Sequence, residues 1–167
     1  VSNPRARRWV VEAPGDPETL VGYGMFFMQI RERFALDIMV HPDWRRQGAG
    51  SRLMDTPFGL LEYAETGKGP AVILSHGSVG GYDQGLWLAG LFGPGFRYLA
   101  PSRFGYLRTP VPADPSPSAQ AGQYAAMLDT LRIERAAVIG LSAGGPAALQ
   151  FALQYPGRCA GLVMLSA

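Results

Sequence analysis

A serine in a glycine-flanked turn is the first residue of this sequence that could perform covalent chemistry. Gly140-Leu141-Ser142-Ala143-Gly144 follows an apolar run and precedes a stretch of small residues that is typical of a helix. At a strand-to-helix junction, the pattern G-x-S-x-G makes a tight turn that exposes the serine Oγ, and the helix start that follows favours an oxyanion. We therefore predict that Ser142 holds a nucleophile position; a purely structural turn is the alternative.

A second motif, PAVILSHG at 70–77, is an apolar run that ends in His-Gly and predicts a strand buried on both faces. Together with the serine turn, it makes residues 56–167 resemble the N-terminal half of an α/β hydrolase. The resemblance implies that Ser142 is the nucleophile and that the backbone N–H groups of Ala143 and Ser78 are the oxyanion donors. It places His76 in the oxyanion loop, where we expect it to shape the loop by hydrogen bonding.

The loop that follows the next predicted strand, LAPSRFGYLRTP at 99–110, departs from the pattern of that family. The family has Asp-x-x-Gly-x-Gly-x-Ser here, whereas this sequence has Ser102 for the aspartate, Leu107 for the second glycine and Thr109 for the serine. These departures weaken the resemblance of the loop but leave the assignment of residues 56–167 in place.

A base for Ser142 is not apparent in the sequence. In the family that it resembles, the acid and then the histidine follow the nucleophile, whereas the two histidines here, His41 and His76, precede it. Without a base, a serine near its ordinary pKa is a weak nucleophile. We therefore expect little or no native catalytic activity. The alternative is an esterase-like serine hydrolase whose acid and histidine lie in a missing C-terminal half.

A glycine-bearing loop in VHPDWRRQGAGSRLM marks a different chemistry. Glycines at a helix start let a phosphate approach backbone N–H groups that carry a positive dipole. The loop resembles motif A of the GCN5-related N-acetyltransferases, a likeness that covers residues 7–54. It implies that a CoA pyrophosphate contacts Arg46, Gln47, Gly48, Ala49 and Gly50. Alternatively, these residues only begin a helix.

The two parts of the chain differ in their predicted elements. Strands are expected at 7–13, 19–30 and 34–40 as antiparallel neighbours, followed by a helix from Asp43 to Asp55. After Thr56, strands alternate with helices, which predicts parallel pairing with crossover connections. The expected fold class is α/β, a mixed sheet with antiparallel N-terminal strands and parallel hydrolase-like strands, divided into segments 1–55 and 56–167.

Composition excludes several classes of function. A net charge of +2 with scattered arginines does not form a nucleic-acid-binding stripe, and no apolar run approaches the roughly 18 residues of a membrane span. The single cysteine, Cys159, rules out an internal disulfide and fits a reducing compartment. We expect a cytoplasmic protein without a metal site that binds no nucleic acid or membrane, requires no cofactor, and forms a homo-oligomer through the apolar run 161–167.

Three interpretations of function remain open. The favoured one is a recombined or chimeric chain built from two truncated enzyme fragments. The others are the serine hydrolase described above, acting on a small-molecule ester, and a module that binds CoA or phosphate weakly through the glycine loop.

Overall fold

The computed structural model describes residues 6–13, 16–29, 33–40 and 51–167, and the first three ranges are described by their backbone alone. The chain divides into two compact units, Val1–Gly50 and Ser51–Ala167.

The first unit contains a three-stranded antiparallel sheet. Its strands are β1 (Ala6–Ala13), β2 (Asp16–Gln29) and β3 (Arg33–Val40), with β2 in the centre. The three predicted strands and their antiparallel pairing are confirmed. These strands form their own sheet rather than one end of a larger one. The glycine loop, Arg46–Gly50, follows β3 and lies outside the described residues.

The second unit is a six-stranded sheet with helices on both faces. Its elements are β4 (Arg52–Thr56), β5 (Gly59–Thr66), β6 (Ala71–Ser75), α1 (Tyr82–Phe92), β7 (Arg97–Pro101), α2 (Pro117–Thr130), β8 (Ala136–Leu141), α3 (Gly145–Gln154) and β9 (Cys159–Leu165). The strand order is β4-β5-β7-β6-β8-β9, with antiparallel pairs up to β7 and parallel pairs beyond it. The predicted α/β class with a mixed sheet is confirmed.

One predicted element is wrong. We expected a helix to run from Asp43 to Asp55, but Arg52–Thr56 is the strand β4, paired antiparallel with β5. Within β4 only Met54 is buried, and its side chain belongs to the core. A segment this short, with Leu53 and Met54 as its apolar residues, fits a helix as well as a strand. Its pairing with β5 makes it a strand.

The core lies in two layers, one on each face of the larger sheet. Ile73, Leu99 and Val138 pack with the apolar sides of α2 and α3, whereas their sequence neighbours Leu74 and Tyr98 pack with α1. Alternate residues of the central strands thus face opposite layers, and both layers are buried. This is the reason that these strands read as continuous apolar runs in the sequence.

The topology brings three loops to one edge of the sheet. Because β6, β7 and β8 are parallel, their carboxyl ends lie side by side. The residues that follow these ends are His76, Ser102 and Ser142. In open α/β sheets this is the edge at which ligands bind.

The strand β9 forms an edge of the sheet and exposes apolar side chains. It pairs with β8 alone among the described strands, and Val163 and Met164 are 43% and 40% exposed. An apolar edge strand pairs readily with another chain.

Because β9 is such a strand, we expect a dimer or larger species by light scattering, and a shift towards monomer in Val163→Lys. Val111→Lys, at an exposed loop residue, should leave the mass unchanged; a parent chain that stays monomeric at high concentration would contradict the expectation.

Candidate active site

Ser142 occupies a sharp turn between β8 and α3. It begins a single 3₁₀ turn, Ser142–Gly144, with a backbone φ of +48°, and its side chain is exposed. A positive φ is uncommon for a residue with a side chain, and such residues cluster at functional sites. A strand-to-helix turn with a positive φ at its serine is the conformation that the predicted nucleophile elbow requires.

The two flanking glycines are required because the backbone passes too close to its neighbours for a side chain. A Cβ on Gly144 would lie 2.1 Å from the carbonyl oxygen of Ser75 and 2.5 Å from that of His76. A Cβ on Gly140 would lie 2.8 Å from both the Cβ of Ala148 and the Cα of Gly145. The glycine pattern therefore follows from packing of the turn against β6 and α3.

A buried chain of hydrogen bonds supports the turn from below. The Ser75 hydroxyl donates to the Gly144 carbonyl at 2.9 Å, and since it has one proton, the Tyr124 hydroxyl donates to it at 2.8 Å. Tyr124 is fully buried, and this burial raises its pKa to about 12. The phenol therefore stays protonated and remains a donor at any ordinary pH.

The predicted oxyanion loop lies next to the serine. A Cβ on Gly77 would be 3.6 Å from the Cβ of Ser142, so the two backbones are in close contact. The buried Gln84 at the start of α1 holds this loop by accepting from the Gly77 N–H at 2.7 Å. Ser78 is exposed, and its N–H donates no hydrogen bond within residues 51–167. Ala143 lies at the start of the 3₁₀ turn, where an N–H has no intrahelical partner.

His76 is buried, and both of its ring nitrogens are occupied. Its Nε2 accepts from the Arg103 N–H at 2.8 Å, so Nδ1 carries the proton and donates to the Gly77 carbonyl at 2.7 Å. Burial lowers the pKa of the imidazole to about 4. His76 thus connects the predicted oxyanion loop to the loop after β7, and it has no free nitrogen with which to accept a proton from Ser142.

The loop after β7 is held by a residue that the sequence did not single out. Glu62 in β5 is 2% exposed, and its carboxylate accepts from the hydroxyls of Ser51 and Ser102 and from the Arg108 N–H. The Glu62 N–H donates to the Thr109 hydroxyl at 2.9 Å. A charge within the apolar run 60–64 was the available signal. The carboxylate that binds this loop thus comes from β5. In the family that the sequence resembles, the expected carboxylate is an aspartate within the loop itself.

The described residues contain neither a metal cluster nor a spanning helix. Within them, no three histidine, cysteine, aspartate or glutamate residues lie close enough to hold a metal ion. No helix among these residues has the length and hydropathy needed to cross a bilayer.

Two family models match the sequence in stretches that overlap at residues 70–74. The alpha/beta hydrolase fold model matches residues 70–167, and the acetyltransferase (GNAT) domain model matches residues 4–74. The two-part resemblance drawn from the motifs is therefore confirmed.

Several relatives and solved structures are similar to this chain. The uncharacterized hydrolase YcgS of Bacillus subtilis is 38% identical over 65% of this chain and 38% of its own length. A 2-hydroxy-6-oxo-6-phenylhexa-2,4-dienoate hydrolase of Comamonas testosteroni is 32% identical over 64% of this chain and 39% of its own length. An alpha/beta hydrolase fold protein from Nakamurella multipartita has a TM-score of 0.65 at 36% identity, over 69% of this chain and 40% of that one. The chain thus spans about two fifths of the length of these relatives.

Proposed function

We propose that residues 51–167 carry the nucleophile and oxyanion donors of a serine hydrolase that acts on small-molecule esters. The proposal starts from the fact that the chain belongs to the alpha/beta hydrolase fold family. Ser142 would attack the carbonyl carbon, and the N–H groups of Ala143 and Ser78 would stabilise the oxyanion that forms. The observation that carries the proposal is the exposed Ser142 at φ +48°, in contact with the loop that contains Ser78.

The proposed attack requires a base to remove the Ser142 proton. His76 does not supply one, since its two nitrogens bond Arg103 and Gly77 and burial lowers its pKa to about 4. His41 is the other histidine of the sequence and lies outside the described residues. A positioned base contributes about 10²–10⁴-fold to a rate. We therefore expect the 167-residue chain alone to hydrolyse p-nitrophenyl acetate at close to the background rate.

An added base tests the proposal directly. Imidazole in solution can accept the Ser142 proton, so we expect it to increase acetylation of the chain by p-nitrophenyl acetate, with the adduct on the peptide that contains Ser142. Mass spectrometry of the intact and digested chain measures this increase. It should disappear in Ser142→Ala.

Ser166 provides a matched control for this experiment. It is also an exposed serine with a positive φ, +49°, but it follows β9 and has Met164 two residues before it, where the serine turn has Gly140. Ser166→Ala should keep the imidazole-dependent acetylation in full. Equal labelling of the parent and Ser142→Ala would overturn the proposal, as would labelling that moves to other side chains.

A second proposed function is weak binding of CoA or phosphate by Arg46–Gly50. What favours it is the match of the acetyltransferase domain model to residues 4–74, together with the strand β3 that ends shortly before this loop. In such a site, successive backbone N–H groups of the glycine loop itself face the pyrophosphate, since the strand β4 begins at Arg52 and no helix directly follows the loop in the described residues. The contacts need no side chain from the second unit.

Calorimetry with CoA tests this second function. We expect a dissociation constant on the order of millimolar to tens of micromolar, about 4 to 6 kcal/mol, that weakens with added salt. Gly48→Val should abolish binding, because it puts a side chain where the phosphate approaches and leaves the net charge unchanged. If the parent and Gly48→Val bind CoA equally, the glycines serve only the turn and this function is withdrawn.

A wider proposal is that the chain joins segments of two enzyme families, as a recombined or chimeric protein. Its support is that the two family models match successive stretches, residues 4–74 and 70–167, which overlap by only a few residues. The acetylation and CoA experiments probe these stretches separately. A chain in which neither Ser142 nor Arg46–Gly50 responds would be a fold that keeps the motifs of both families without their activities.

A further inference from the structure

The guanidinium of Arg103 lies beside the nucleophile elbow and is held there on several sides. The Arg103 N–H donates to His76 Nε2 at 2.8 Å, and the next N–H, that of Phe104, donates to the buried Gln120 at 2.7 Å. The guanidinium carbon lies 5.1 Å from the centre of the Tyr106 ring. Both the backbone and the side chain of Arg103 are therefore positioned before any ligand binds.

One donor of this guanidinium contacts the elbow itself. Arg103 Nη1 donates to the carbonyl oxygen of Ala143, the residue that follows the proposed nucleophile. An arginine side chain has five N–H donors, and this is the one hydrogen bond that the side chain makes within residues 51–167. The other N–H donors of the guanidinium are therefore available to a ligand near Ala143, the residue next to Ser142.

Within residues 51–167, Arg103 has no counter-ion, unlike the other partly buried arginines of the second unit. Arg97 pairs with Glu65 at 2.7 Å and Arg158 pairs with Asp129 at 2.7 Å. No carboxylate among residues 51–167 forms an ion pair with Arg103, although its side chain is half-buried. Partial burial of an unpaired charge costs free energy, and a bound anion recovers it through paired N–H donors.

We propose that Arg103 binds the carboxylate of an anionic substrate whose ester carbonyl is attacked by Ser142. The inference rests on the proposed hydrolase function and adds the substrate class. Because the guanidinium contacts Ala143 and not Ser142 itself, the carboxylate and the reacting carbonyl must be separated by a few bonds. Monoesters of short dicarboxylic acids have this spacing. If Arg103 served only to hold the Ala143 carbonyl, neutral and anionic esters would bind alike.

The experiment compares two esters that differ in one charge. Monomethyl glutarate has a free carboxylate, whereas dimethyl glutarate has the same chain without the charge. Binding is measured by NMR titration in the Ser142→Ala background, so that no turnover occurs. We expect the monoester to bind about tenfold more tightly than the diester, a ratio typical of a charge-assisted hydrogen bond.

Two variants test whether Arg103 causes this preference. Arg103→Gln should lower the ratio to about one, and Arg103→Lys should keep part of it, since the lysine retains the charge but not the planar pair of donors. Arg108→Gln is the matched control: it removes the same charge from the exposed side of the same loop, and the Arg108 N–H that binds Glu62 is unaffected. It should leave the ratio unchanged.

The outcomes separate this inference from the proposed function. No preference for the monoester in Ser142→Ala alone overturns the inference, even if the Arg103→Gln variant fails to fold. An equal loss of the preference in Arg103→Gln and Arg108→Gln overturns it as well. The titration does not use the Ser142 hydroxyl, so a carboxylate preference that depends on Arg103 stands even if imidazole fails to acetylate Ser142. In that case the hydrolase function alone is withdrawn.

Discussion

Replacing Gly144 by alanine is expected to destabilise the chain by about 3 kcal/mol or more and to disrupt the elbow. The new Cβ would lie 2.1 Å from the Ser75 carbonyl oxygen and 2.5 Å from that of His76. The Ser75 backbone cannot move freely, because Ser75 pairs with Gly140 in the parallel ladder and donates its hydroxyl to the Gly144 carbonyl. Overpacking against flexible side chains costs about 1–3 kcal/mol, and here the neighbours are backbone atoms.

The free energy of unfolding in urea measures this effect, and Gly157→Ala is the matched control. Gly157 lies in the turn between α3 and β9, and a Cβ there would meet no atom within 4 Å. A surface substitution of this kind changes stability by about 0.5 kcal/mol or less. If Gly144→Ala and Gly157→Ala were equally stable, the turn would not be packed against β6 as described. Imidazole-dependent acetylation of Ser142 should also be lost in Gly144→Ala and kept in Gly157→Ala.

Acidification is expected to remove about 3 kcal/mol of stability through His76 alone. Burial lowers the pKa of this imidazole from 6.5 to about 4, and each unit of difference corresponds to about 1.36 kcal/mol. Between these two values the unfolded chain binds a proton that the folded chain does not. The contribution is therefore fully present above pH 6.5 and is lost progressively as the pH falls towards 4.

His76→Gln isolates this contribution from that of the carboxylates. A glutamine oxygen can accept from the Arg103 N–H in place of Nε2, so part of the connection between the two loops is kept. Urea unfolding at several pH values should show a weaker loss of stability in His76→Gln than in the parent between pH 6.5 and 4. Parallel pH profiles would mean that His76 is not buried in the neutral form.

Local sequence patterns predicted most of the elements and the turn that contains Ser142. The apolar runs 71–75, 97–101 and 136–141 are strands, and Tyr82–Phe92 is a helix, because hydrophobic periodicity and glycine or proline boundaries act over short distances. The turn at Gly140–Gly144 was predictable from its local motif, although the contact that requires a glycine at position 144, the Ser75 carbonyl, is tertiary. The helix expected up to Asp55 was wrong, because Arg52–Thr56 becomes a strand only by pairing with β5.

The sequence by itself therefore determined the order of strands and helices, the serine turn and the glycines that allow it. The tertiary structure decided which distant groups meet at that turn. The parallel register of β6 and β8 places the Gly77 backbone against Ser142, and the antiparallel pairing of β5 with β7 brings Glu62 to the loop after β7. Arg103 reaches the Ala143 carbonyl across a separation of 40 residues. Such contacts depend on strand register and packing, which no local pattern encodes.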